Sequence, residues 1–86
     1  MDAKMRIEIE IQAVDNMIAD IYRAKVLNEM SVEDAKLPTG NPQVDKNLKA
    51  IAEVSARTIL QQERMLASRN KKLLELEAEK AALTEE

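Results

Sequence analysis

Both prolines and the only glycine of this chain fall within six residues, Leu37-Pro38-Thr39-Gly40-Asn41-Pro42. Pro38 and Pro42 each lack an amide donor and push the residue before them out of the helical region, while Gly40 can take positive φ at little cost. Asn41 followed by Pro42 reads as an N-cap and a first helical position. One helix therefore ends here and another begins, and the break is too short to link two domains. The rest of the 86 residues contains neither Gly nor Pro, which predicts a single helical-hairpin domain over residues 1–86.

Before the break, Ile7, Ile11, Val14, Ile18 and Ile21 recur at steps of four and three, with Met17 and Ala24 beside the stripe. This is the period of a helix and not of a strand. Ile7-Glu8-Ile9-Glu10-Ile11 alternates as a strand does, but Gln12 to Lys36 holds the helical phase. The first helix is expected from about residue 3 to about residue 36. An interruption is expected near residues 28–31, where Ser31 with Asp34 three positions later forms a weak version of a capping box.

After the break, Val44, Leu48, Ile51, Ile59, Leu66, Leu73, Leu76 and Leu83 lie close to one helical face, punctuated by Ser55, Gln62 and Arg69. Asp45, Lys49, Glu53 and Arg57 alternate in sign at four-residue steps. Each such exposed step contributes roughly 0.2–0.5 kcal/mol. The second helix is expected over about residues 42–83, on the order of 60 Å long at 1.5 Å per residue. The predicted architecture is an all-α antiparallel hairpin with a longer second helix, assembling into a bundle or partial coiled coil.

The unequal lengths predict an overhang. Pairing that starts at the turn matches Val44 to about Arg69 with the first helix and leaves Lys71 onward projecting past the N-terminus. That projection carries Leu73, Leu74, Leu76, Ala81 and Leu83. Ile59, Leu66, Leu73, Leu76 and Leu83 are accordingly the candidate self-association or partner-binding residues, and a two-fold homodimer is the expected assembly. Heptad spacing fits Leu66, Leu73 and Lys80, and equally Leu60, Ala67, Leu74 and Ala81. Gln62, Arg69 and Lys80 interrupt the first seam, so an ordinary bundle helix is favoured over a long coiled coil.

Composition excludes much of the chemistry. With no His or Cys, imidazole bases, thiol nucleophiles and Cys/His metal sites are unavailable. Glu8 and Glu10 point to different faces, and Glu75, Glu77 and Glu79 lack the loop of a calcium site. No enzyme, cofactor or metal is expected. Arg57, Arg64, Lys71 and Lys72 could contact phosphate, but there is no aromatic platform, and the 13 Lys and Arg are outnumbered by 16 Asp and Glu. Nucleic-acid binding is the alternative function, and capture of a partner helix in the manner of a chaperone is a second alternative. Met5, Met17, Met30 and Met65 read as core-edge residues that could also form an adaptable surface. Met1 to Arg6 lacks the apolar core of a signal peptide, and no run nears the roughly 20 apolar residues of a membrane span. A cytoplasmic interaction or assembly adaptor, with another helical protein or a second copy as its partner, is the expected function.

Overall fold

The computed structural model describes residues 2–84. Helix α1 runs from Ala3 to Asp34 and helix α2 from Pro42 to Thr84, packed against each other. Among the described residues there is no strand. The molecule is a rod of 66 × 17 × 15 Å. Its radius of gyration of 19.3 Å compares with about 12 Å for a compact chain of this length.

The ends of the helices follow from local chemistry. The Asp2 carboxylate accepts the Met5 amide at 2.8 Å and caps α1. At the other end, Pro38 disfavours helical geometry at Leu37. The chain leaves α1 through tightened bonds, with the Lys36 amide on the Glu33 carbonyl at 3.0 Å and the Leu37 amide on the Asp34 carbonyl at 3.2 Å. The Asn41 side chain accepts the Gln43 amide at 3.0 Å and the Val44 amide at 3.3 Å. Asn41 and Pro42 thus start α2 as their residue types require.

The interruption expected near residues 28–31 is absent: α1 is continuous there. Ser31 does not cap a new turn. Its hydroxyl donates to the Leu27 carbonyl one turn back, at 3.3 Å, so its hydrogen-bonding capacity is used inside the helix that it was expected to interrupt.

The register also differs from the one expected. Glu8 stands opposite Lys80 (3.6 Å), Lys25 opposite Glu63 (3.7 Å), and Asn28 opposite Gln62 (3.2 Å). Each step forward on α1 is a step back on α2, so the end of α1 lies beside about Ser55. The overhang is therefore at the turn. Pro42 to Val54 extends beyond α1 by roughly 19 Å, and residues 35–41 climb beside it. Of the leucines expected to project, only Leu74 stays exposed; Leu76 is 1% exposed, the most buried side chain among the described residues. Leu73 and Leu83 are half-buried.

The reason is side-chain matching. Pairing directly across the turn sets Val14 against Gln62, Ile21 against Ser55, and Asn28 against Leu48. A shift of two heptads sets the Ile/Val stripe against Leu73, Leu76 and Leu83, and lets Asn28 meet Gln62. Apolar burial is worth roughly 25 cal/mol per Å², and an unpaired buried amide costs about 1–3 kcal/mol. Both effects favour the shifted register, and the seven-residue connection is long enough to allow it.

Candidate interaction surface

The side chains facing the partner helix recur every seven residues in two interleaved sets. On α1 they are Ile7, Val14, Ile21 and Asn28, with Ile11, Ile18, Lys25 and Val32 between them. On α2 they include Ser55, Gln62 and Leu76, with Ile59, Leu66 and Leu73. Among the described residues the buried apolar ones are few: Val14, Leu66 and Leu76. Gln62 is 8% exposed and Ser55 6%, so the inner seam is apolar towards the chain termini and polar towards the turn. Among the described residues, no fully buried side-chain nitrogen or oxygen lacks a partner.

Of the five residues expected to meet a partner, Leu66 and Leu76 are buried and Ile59, Leu73 and Leu83 are half-buried. They face α1, and their apolar area is used within the hairpin. The alternative stripe is on the opposite side of α2, where Leu60 and Leu74 are 60% and 67% exposed. Pro38, Gly40 and Asn41 lie in the connection between the helices, and Pro42 is the first residue of α2. There the Asp45 carboxylate accepts both the Thr39 amide (2.9 Å) and the Thr39 hydroxyl (2.7 Å). The Thr39 amide first, then its hydroxyl, hold the Asp45 carboxyl below the ordinary aspartate range; partial burial opposes this and Lys49 assists it.

The two edges of the seam differ in chemistry. One carries Lys25 between Glu29 and Glu63, and Lys80 with Glu8. The other is an open groove of about 330 Å³, lined by Ile21 and Ala24 of α1 and by Thr58, Gln61, Gln62 and Met65 of α2, with Asp20 also at its edge. Helical spacing places Met17 and Leu27 on the same side, along with Val44, Ile51 and Val54 of the overhang. All five are between 41% and 66% exposed. Met5, Met30 and Met65 are also about half exposed; Met17 and Met65 flank the seam, and helical spacing turns Met5 and Met30 away from it. A larger trough of about 520 Å³ lies along Pro42, Lys46, Lys49 and Glu53. It is formed by α2 alone, is bordered by the charged side chains of Asp45, Lys46, Lys49 and Glu53, and belongs to the solvated surface of one helix.

Arg57, Arg64, Lys71 and Lys72 are all exposed. The first three are seven residues apart and share a line on the outside of α2; Lys72 lies about 100° further round. Among the described residues none of the four has a carboxylate within ion-pair distance, although the Arg57 Nε–H donates to the Glu53 carbonyl at 3.4 Å. Arg69 occupies an inward seam position yet is exposed, its long stem allowing the charged head to reach solvent. No group of three or more acidic side chains capable of holding a metal occurs among the described residues. No described helix is long and apolar enough to cross a membrane.

No protein family, curated protein or solved structure matches this chain.

Proposed function

We propose that this hairpin is a noncatalytic protein-interaction module, an assembly adaptor that docks through the groove edge of its seam. The observation carrying this reading is the asymmetry of the two edges. One is closed by cross-helix ion pairs, and the other exposes Ile21, Ala24, Thr58 and Met65 beside an uncovered apolar strip. Exposed apolar patches that continue along one side of a small protein mark interaction surfaces, and flexible methionines suit adaptable ones. A cytoplasmic setting and coiled-coil packing within the assembly belong to the same proposal. The test is affinity capture from the native extract with the intact chain and with Ala24→Asp/Met65→Glu. Specific partners retained by the intact chain and by Arg64→Glu, but lost by the double variant, support the reading. Equal capture by the double variant overturns it.

The line of Arg57, Arg64 and Lys71 supports a second reading, contact with nucleic-acid phosphates. Such binding falls steeply with salt. Titration with duplex and single-stranded DNA and RNA at about 50 mM salt decides it, and no binding is expected.

A further inference from the structure

We propose that the groove edge docks a second copy of this chain, inverted about a two-fold axis that passes beside Val54. The proposal rests on the interaction-module reading above and names the partner. Two features of the molecule specify a second copy.

The first is area. The chain exposes 6539 Å², whereas a compact protein of its mass exposes about 5,100 Å². The excess is about 1,400 Å², well above the roughly 800 Å² per partner of a standard stable interface. The exposed surface includes an apolar strip: Val44, Ile51, Val54 and Met65 are each at least 41% exposed on one side of α2.

The second is shape. Beside about Ser55 the rod steps from two helices to one helix flanked by a loop. A two-fold axis at that step turns the single-helix section of one copy alongside the two-helix section of the other. Each step then fills the other. Along α2 an axis between Val54 and Ser55 brings Ile51 to Thr58 and Val44 to Met65, and leaves the two Val54 side chains on either side of the axis. The overhang gains the neighbour that the hairpin itself does not supply, and the apolar strip covers itself as isologous contacts require.

Sedimentation equilibrium from micromolar to near-millimolar protein should give twice the 9.7 kDa chain mass. Ile51→Glu/Val54→Glu should weaken the association about thirtyfold or more. Both residues are exposed in the hairpin, so helicity by circular dichroism should be retained. The chain has no cysteine, which allows a direct test of the axis. Val54→Cys should cross-link to a dimer with a short bis-maleimide, and Leu74→Cys on the outer face should not. A constant mass of 9.7 kDa over that range, or cross-linking through Leu74→Cys in place of Val54→Cys, overturns the proposal. If the chain is monomeric while the capture experiment above still depends on Ala24 and Met65, the interaction module stands and only its partner is different.

Discussion

Gly40 stands at φ +85° with nothing within 4 Å of the position a Cβ would occupy. Space is not the constraint there; backbone conformation is. An L-residue pays about 1–2 kcal/mol in that region, more when β-branched. Gly40→Val should therefore lower unfolding free energy by at least about 1 kcal/mol, and Gly40→Asn by less, as read from urea denaturation. Asp45 makes a second prediction at this scale. Its folded-state pKa is depressed, chiefly by the two Thr39 hydrogen bonds. Its contribution is complete above the ordinary aspartate pKa of about 3.9 and is lost as pH falls through the lower folded value. The stability difference between the intact chain and Asp45→Ala should shrink between about pH 6 and about pH 2. An unchanged difference would show that the contact to Thr39 carries no stability. Asn41 and Gly40 were readable from residue type, because capping and positive φ are local demands. The Thr39–Asp45 contact was not, since it joins the turn to the second helix.

Within the elements, each helix is set by its own period, but their contact has two chemically different halves. Leu76 is the most buried side chain among the described residues, and Leu76→Ala should cost about 2–5 kcal/mol. Leu74→Ala, on the exposed face, should stay within about 0.5 kcal/mol. Both are measurable by chemical denaturation. The Asn28–Gln62 hydrogen bond belongs to the polar half. Asn28→Ala leaves the buried Gln62 amide without that partner and should cost about 1–3 kcal/mol. Replacing both by Leu should recover that loss while weakening the preference for one register. The seven-residue spacing in α2 was legible, but two stripes carried it. Leu66, Leu73 and Leu76 turned inward, and Leu60 and Leu74 outward, because only one face of α2 meets α1. The methionines were likewise ambiguous, since Met17 and Met65 sit one step beside the seam, where partial burial and exposure have the same sequence signature.

At the scale of the whole molecule, the register predicts which distant residues are neighbours. Glu8→Cys/Lys80→Cys should cross-link within one chain through a short bis-maleimide. Pairing directly across the turn would place residue 8 beside about residue 68 and give no such product. Inserting Gly-Ser after Pro38 should leave this cross-link intact and cost about 0.6 kcal/mol or less, because the connection permits the register without choosing it. The helices, the position of the turn and the absence of His/Cys chemistry were determined by the sequence, since each follows from residue type or short-range spacing. The location of the overhang and the residues left exposed were decided by tertiary structure alone. A helix presents the same stripe at every heptad, so several alignments satisfy the local pattern equally. Only the joint burial of Val14 and Leu76, with Asn28 meeting Gln62, makes one of them lower in free energy than the rest.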